Sequence, residues 1–292
     1  MGLPDGLVAR APRLTDAAAI FELLAASNTR LTGSPDATLA GVAAGLTAPG
    51  FQRETDGWLI VDDADRAVNF GAVVLGRHAD LMICGPDSPG ADWLLDSAIT
   101  RVTRGTRLEI AVLRQNEPLR ALITSRGFVR GTSYFQMRVD HTAPIAGPEP
   151  PAGVALTSPY DEETRRAAYG VLADGFADQA ADAMPPYDEW PGSGVTLATL
   201  DGRPVAAIVT ENTYAETDHC GYVARLAVLP EARGRGLGRF FLQHTFATDA
   251  AAGLTGTMLD VDSNNPTPAL GLYESVGLRT TRVSDDWSLV VE

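Results

Sequence analysis

The stretch Arg233-Gly-Arg-Gly-Leu-Gly238 decides the fold, because it joins a strand-like run to a helix-like run through a glycine-rich turn. The strand-like run is Tyr222–Leu229, and the helix-like run is Leu237–Phe246. A strand, a glycine turn and a helix in this order expose backbone N–H groups at the positive end of the helix. The stretch therefore predicts a site for phosphate groups.

The spacing of the glycines excludes two common phosphate-binding motifs. A Walker loop ends in Gly-Lys-Ser/Thr, and this chain of 292 residues contains no lysine. A Rossmann fingerprint needs its last glycine one position after Gly238, where Arg239 stands. The turn therefore belongs to another class of phosphate loop.

The residues of this turn resemble the pyrophosphate loop of the GNAT acetyltransferase superfamily, whose pattern is Arg/Gln-x-x-Gly-x-Gly/Ala. Arg233, Gly236 and Gly238 fill the three positions. Farther along, Asn265–Leu278 resembles a second motif of the family, Asn…Ala-x-x-Leu-Tyr-Glu-x-x-Gly-Phe, with Leu278 in place of the phenylalanine. That replacement exchanges one apolar side chain for another. Two motifs in the right order make the chain similar to this superfamily.

Length and composition predict a soluble protein with two domains of ordinary size. No apolar run approaches the roughly 20 residues of a membrane span, and Met1–Gly6 lacks the features of a signal peptide. We therefore expect a cytoplasmic protein with no membrane partner. The net charge of −14 disfavours nucleic acid, which binds basic surfaces. An acidic surface suits a cationic small molecule, although acidity also serves solubility alone.

Cysteine and histidine are sparse and form no pattern typical of a metal site. The two cysteines, Cys84 and Cys220, are expected to be buried, unpaired thiols. The four histidines show no ligand spacing among themselves or with the cysteines. We expect no structural or catalytic metal.

A proline-rich linker divides the chain into two halves of one kind. The predicted division is an N-terminal domain over residues 1–141, a linker over residues 142–152 and a C-terminal domain over residues 153–292. In the first half, Asn116–Phe128 echoes Asn265–Leu278 of the second. Both stretches end in a helix with a glycine suited to the left-handed C-cap position. The sequence therefore predicts a tandem duplication.

The resemblance implies an α/β (α+β) fold made of two tandem GNAT folds, each a mixed, mostly antiparallel, twisted sheet flanked by helices. Among tandem GNAT proteins, the chain is similar to the mycothiol synthase-like group. The halves differ, because Leu81–Gly90 stands where the second half has its glycine–arginine turn. There Asp87 repels anions and Pro89 lacks an N–H donor, while Ile123 stands at the position of Tyr273. The first half is therefore expected to be a degenerate, non-catalytic domain.

The resemblance implies acetyl-CoA as co-substrate and an active site in the second half. The pantetheine arm would lie between the strands Tyr222–Leu229 and Thr257–Asp262, which splay apart in the family fold. Backbone amides near Leu226–Val228 would polarise the thioester carbonyl and hold its oxyanion. The expected cofactor-binding residues are Leu226, Ala227, Val228, Arg233, Gly234, Arg235, Gly236, Leu237, Gly238, Arg239, Asn265 and Ala269.

The resemblance also implies direct attack of an amine on the thioester, and Tyr273 matches the family's general acid. In the alternative, Tyr273 is a packing residue of its helix. The general base is open, because Tyr222–Arg225 contains no carboxylate where many relatives carry a glutamate. The candidates are Glu211, Asp218 and His219, either directly or through a chain of waters.

Tyr187, Asp188 and Trp190, in a proline-rich loop, are expected to bind the substrate, since aromatic faces beside carboxylates suit an ammonium group. In the alternative, Trp190 fills the core and the acids face water. We therefore expect a monomeric or homodimeric enzyme that N-acetylates a small-molecule amine. Transfer of another acyl group, transfer from a carrier-protein thioester, and a CoA-binding module without turnover are the alternatives.

Overall fold

The computed structural model describes residues 2–35, 37–76, 78–85, 87, 89–158, 161–177, 183–263 and 269–292. Its contacts divide the chain into two compact units. The first unit contains Met1–Tyr134 together with Arg282–Glu292, and the second contains Phe135–Thr281. The predicted boundary near residues 142–152 assigns the C-terminal strand to the second half of the sequence, whereas in space most of that strand belongs to the first unit.

The described chain contains both strands and helices. The strands are β1 (Leu7–Arg10), β2 (Gly57–Asp62), β3 (Ala67–Leu75), β4 (Ala79–Cys84), β5 (Arg107–Leu113), β6 (Val129–Asp140), β7 (Val154–Thr157), β8 (Val195–Leu200), β9 (Arg203–Glu211), β10 (Cys220–Val228), β11 (Gly256–Asp262) and β12 (Arg279–Val290). The helices are α1 (Ala17–Thr32), α2 (Leu39–Leu46), α3 (Arg53–Asp56), α4 (Ala91–Arg101), α5 (Glu117–Thr124), α6 (Glu162–Gly175), α7 (Leu237–Ala251) and α8 (Ala269–Ser275). Among the described residues, no helix combines the length and the apolar content of a membrane span.

In the first unit the strand order is β1-β2-β3-β4-β5-β12-β6, with β6 and β12 contributing the residues that belong to this unit. Strands β4 and β5 are parallel, and β1–β2, β2–β3, β3–β4 and β5–β12 are antiparallel. One core, which includes Leu95, Leu108 and Ile123, packs α4 and α5 on the sheet. A second core around α1 includes Ile20 and Leu59.

In the second unit the order is β12-β6-β11-β10-β9-β8-β7, again with the parts of β6 and β12 that belong to it. Strands β10 and β11 are parallel, and β7–β8, β8–β9 and β9–β10 are antiparallel. The β8–β9 turn has positive φ at Asp201 (51°) and Gly202 (80°), the type I′ geometry that Asp-Gly predicts. One core packs α7 on the sheet through Phe241, and another packs α6 through Leu172.

Both units confirm the predicted fold class, because each is a mixed, mostly antiparallel sheet flanked by helices. Cys84 and Cys220 are free and buried, as predicted. Burial raises the pKa of the Cys84 thiol to about 12, so this cysteine is an inert core residue.

Asp285 fixes β12 in the first unit. Its side chain is 1% exposed and accepts hydrogen bonds from Arg114 Nη2 (2.7 Å) and the Ser133 hydroxyl (2.7 Å). Burial alone would raise the pKa of Asp285, but these hydrogen bonds and the charges of Arg114 and Arg130 outweigh it. The pKa of Asp285 therefore lies below its ordinary value, and the carboxylate stabilises the folded state.

We expect Asp285→Asn to lower the free energy of unfolding by about 2 kcal/mol, below the usual loss for a broken buried pair, because Arg114 is 41% exposed and stays partly hydrated. Since the pKa is depressed in the folded state, the contribution is fully present above the unfolded value of about 4 and disappears as the pH falls through the folded value. Urea unfolding between neutral and acid pH measures this. Glu54→Gln, at an exposed carboxylate of the same unit, is the control. Equal losses in the two variants would contradict the assignment.

Candidate active site

The parallel strands β10 and β11 pair only along their first residues. Their register runs from Cys220 opposite Gly256 to Val223 opposite Leu259. Beyond this point β10 continues to pair with β9 up to Val228, with a register shift between Val223 and Arg225. The two strands therefore separate after Val223. The predicted amide donors Leu226, Ala227 and Val228 lie on the part of β10 past this separation.

The predicted phosphate turn follows β10 directly. Gly234 (φ 76°) and Gly236 (φ 80°) are left-handed, and Gly236 is the N-cap residue of α7. A Cβ atom at either glycine would meet nothing within 4 Å, so the backbone conformation, and not packing, requires glycine there. The N–H groups of the first turn of α7, which begins at Leu237, have no partner within the helix. This open helix end fits a phosphate or diphosphate group.

Gly238 has a different role from the other two glycines. A Cβ atom there would approach Leu272 Cδ2 to 3.0 Å. Glycine at this position therefore lets α8 lie close to the first turn of α7. The two sequence motifs are in contact for this reason, because Leu272 belongs to the second of them.

The three arginines of the turn make different contacts. Arg233 Nε donates to the Val228 carbonyl oxygen (3.0 Å) and ties the turn to β10. Arg239 donates to the carbonyl (3.2 Å) and the hydroxyl (2.8 Å) of Ser275 and holds the end of α8. Arg235 is exposed next to the N-cap residue of α7 and adds positive charge there. Arg233 thus stabilises the turn, and Arg239 joins α7 to α8.

Tyr273 lies on α8 and is half-buried. It packs on the same core cluster as Leu226 and Val228 of the separated part of β10, and so does Ala269. Burial raises the pKa of Tyr273 to about 12, so the phenol keeps its proton at neutral pH. The side chain can therefore donate a proton or a hydrogen bond. Asn265, also predicted to contact the cofactor, lies outside the described residues.

The three candidate bases of the second unit lie at two positions, Glu211 at the end of β9 and Asp218 and His219 before β10. Glu211 ends β9, is exposed, and stands opposite Tyr222 in the β9–β10 register. His219 is exposed with φ of 53° and precedes β10. It lies four residues before Val223, or about 13 Å at roughly 3.3 Å per residue. Asp218 accepts a hydrogen bond from the Thr217 hydroxyl (2.8 Å). The structure brings Glu211 near the separation of the strands and does not bring His219 there.

Tyr222 and Asp260 form a pair that the sequence analysis missed. The Tyr222 hydroxyl donates to Asp260 Oδ2 (2.9 Å) across β10 and β11. Burial, and then the charge of Asp260, raise the pKa of Tyr222 well above its ordinary value. A carboxylate therefore stands beside β10, although β10 carries none. The alternation of apolar and acidic residues in Leu259–Asp262 contained the signal, since it puts Asp260 on the face opposite the α7 core.

The aromatic side chains of the predicted substrate loop contact other residues of the protein. Trp190 is 5% exposed and packs in the core beneath α6, which is the alternative that the sequence left open. The ring of Tyr187 is covered by Arg166 (4.3 Å) and Arg165 (5.2 Å), where a substrate ammonium was expected. Its hydroxyl donates to Glu162 (3.0 Å). Substrate binding by the exposed Asp188 stays a prediction.

In the first unit, apolar side chains lie close to the described residues at the N-terminus of α4. Gly90 is the N-cap residue of α4 (φ 103°), and a Cβ atom there would approach Ile60 Cδ1 to 2.8 Å. Asp87 pairs with Arg30 (3.2 Å), and Ile123 is fully buried. That the first half does not bind a diphosphate stays a prediction.

One group of described residues has ligand atoms close enough for a metal ion. His78, Asp80 and Glu109, in the first unit, have such atoms within 4.8 Å of one another. Glu109 is also paired with Arg107 (2.5 Å), which offsets the negative charge a cation would need. The expectation of a protein without a metal stays a prediction.

The chain is similar to several known proteins. Residues 157–278 match the Acetyltransferase (GNAT) family. The mycothiol acetyltransferase of Thermobispora bispora is 30% identical over 52% of this chain, and the match spans about half (55%) of that relative's length. A GCN5-related N-acetyltransferase from Sphaerobacter thermophilus has a TM-score of 0.81 at 20% identity, covering 100% of this chain and 98% of the other. A tandem GNAT protein from the clavulanic acid biosynthesis pathway has a TM-score of 0.70 at 16% identity, covering 98% and 99%. These two structures show the fold alone, and they confirm the predicted tandem architecture.

Proposed function

We propose that the second unit, whose residues 157–278 match the Acetyltransferase (GNAT) family, transfers an acetyl group from acetyl-CoA to the amine of a small molecule. The separation of β10 and β11 beside the phosphate turn carries this proposal. It offers an open strand edge for the pantetheine arm next to a helix end for the diphosphate. The first unit, in which a Cβ atom at Gly90 would approach Ile60 Cδ1 to 2.8 Å at the N-terminus of α4, takes no part in the chemistry.

Each part of the site has one task in the reaction. When bound, acetyl-CoA supplies the thioester. The N–H groups at the start of α7 and the charge of Arg235 hold the diphosphate. The amides of Leu226–Val228 polarise the thioester carbonyl and stabilise the oxyanion that forms when the amine attacks.

Tyr273 supplies a proton to the departing sulfur. Its pKa of about 12 keeps the phenol protonated over the whole working range of pH. A neutral phenol near the strand edge is a better donor to a thiolate than bulk water, because its position is fixed by packing on the core.

Two measurements in sequence test the proposal. Calorimetry with acetyl-CoA determines whether the protein binds the co-substrate, and a thiol reagent then follows CoA release with a panel of primary amines. We expect binding, and release that depends on the amine. Binding without release from any amine would indicate a CoA-binding module, and an absence of binding would overturn the proposal altogether.

A further inference from the structure

The face of the second unit's sheet opposite the α7 core carries a group of polar side chains, which we call the acceptor cluster. Its position follows from strand alternation, because the neighbouring residues Met137, Val223 and Val261 pack in the α7 core. The members of the acceptor cluster are Gln136, Glu211, Tyr214, Tyr222 and Asp260.

Direct contacts connect most of the acceptor cluster. The Tyr222 hydroxyl donates to Asp260 (2.9 Å), and the ring of Tyr222 meets that of Tyr214 edge to face, with centroids 5.2 Å apart. Gln136 Nε2 donates to the Tyr214 hydroxyl (3.2 Å). Glu211 stands opposite Tyr222 in the strand register. Strands β6, β9, β10 and β11 therefore each contribute one polar side chain to the same patch.

The acceptor cluster lies where β10 and β11 separate. Tyr222 is one residue before the last parallel pair, Val223 with Leu259, and Asp260 is the first residue after it. A thioester held along the open edge of β10 thus has the α7 core on one side of the sheet and the acceptor cluster on the other. This is the side from which a second substrate can approach the carbonyl.

Gln136 marks this patch as a binding site. The residue is 8% exposed, and its Oε1 has no hydrogen-bond partner among the described residues. Buried polar atoms are nearly always paired, so an unpaired carbonyl oxygen beside Tyr214 is an acceptor for a donor that a ligand brings. Together with the carboxylates of Asp260 and Glu211, it makes the cluster complementary to a cation that carries a second hydrogen-bond donor.

We propose that the acceptor cluster binds a primary amine bearing a neighbouring hydroxyl group, as in an amino alcohol or an amino sugar. Asp260 receives the ammonium group, and Gln136 Oε1 accepts the hydrogen bond of the hydroxyl. Tyr222 is a positioning residue, because its donated hydrogen bond fixes the Asp260 carboxylate. The inference rests on the proposed acetyl transfer and defines the class of its acceptor.

The proton balance of the reaction agrees with these roles. The ammonium passes one proton to Asp260, and the neutral nitrogen then attacks the carbonyl carbon. As the N–C bond forms and the C–S bond breaks, Tyr273 protonates the sulfur. Tyr273 regains a proton from the nitrogen through solvent, and Asp260 returns its proton to water. The net reaction converts ammonium and thioester into amide, free thiol and one proton.

A matched pair of amines tests the inference. The probes are trans-2-aminocyclohexanol and cyclohexylamine, which differ in one hydroxyl group, and release of CoA from acetyl-CoA is followed. We expect kcat/KM of the wild type to be about tenfold higher for the amino alcohol, the usual effect of one hydrogen bond to a buried acceptor. Gln136→Leu should remove this preference while cyclohexylamine is still turned over.

Two further variants test Asp260. Asp260→Asn keeps the shape of the side chain but can neither pair with the ammonium nor accept its proton, so kcat/KM for either amine should fall by about tenfold or more, with KM for acetyl-CoA unchanged. Tyr222→Phe should raise the amine KM by about threefold, and it serves as the second test if the first variant does not fold. Glu149→Gln, at an exposed carboxylate between β6 and β7, should leave every constant unchanged.

Three results would overturn the inference without touching the proposed acetyl transfer. They are equal kcat/KM for the two probes, turnover of neither probe by a protein that acetylates other amines, and a kcat/KM of Asp260→Asn for the amines within about twofold of wild type. Failure of the wild type to release CoA with every primary amine would instead count against the proposed function itself.

Discussion

Replacing Gly236 by valine should weaken acetyl-CoA binding by about 100-fold, the largest effect on affinity that we expect from one residue. Gly236 has φ of 80° and is the N-cap residue of α7. A β-branched residue avoids this conformation, so the turn must rearrange and the N–H groups at the start of α7 lose their common direction. The binding energy of the diphosphate is lost with that alignment.

Gly253 provides a matched control for this substitution. It has φ of 82°, follows the other end of α7, and a Cβ atom there would also meet nothing within 4 Å. Gly253→Val should therefore cost a similar 1–3 kcal/mol of stability, roughly the strain of one unfavourable backbone conformation. Its affinity for acetyl-CoA should equal that of the wild type. Calorimetry on the folded variants separates the two effects, and equal affinity in both would show that the turn does not hold the diphosphate.

The features that the sequence predicted are local ones. Glycine spacing alone predicted the turn at Gly234 and Gly236, because positive φ at an N-cap is a property of a few consecutive residues. The Asp201-Gly202 hairpin turn was predictable for the same reason. The packing of α8 on α7 was not predicted, because the need for glycine at position 238 is seen only in its close approach to Leu272.

The features that the sequence did not predict join residues that lie far apart along the chain. Strand β12 pairs with β5, and Asp285 of β12 accepts a hydrogen bond from Arg114 there. The alternation of side chains along β12 does not predict which strand it pairs with. The Tyr222–Asp260 pair forms across two strands whose register is set by tertiary packing. Arg165 and Arg166 cover Tyr187, because cations of the protein itself compete for an aromatic face.

Tyr273→Phe should lower kcat by about 100-fold and leave KM for acetyl-CoA unchanged. The ring keeps its packing on the core cluster that includes Leu226 and Val228, so the fold and the strand edge remain. Only the proton donor is lost, and the thiolate must then leave without a positioned acid. Tyr134→Phe, which removes a phenol from the first unit, is the control and should keep full activity.

The pH profile distinguishes a proton donor from a packing residue at this position. Burial raises the pKa of Tyr273 to about 12, and the protonated form is the active one, so its contribution is present below that pH and lost above it. The kcat of the wild type should therefore show no fall from Tyr273 between pH 7 and about 10, where an exposed tyrosine would already ionise. The phenylalanine variant should show a lower kcat that depends on added general acids, because buffer replaces the missing donor. A Tyr273→Phe enzyme with undiminished kcat would reduce the residue to a packing role and leave protonation of the sulfur to water.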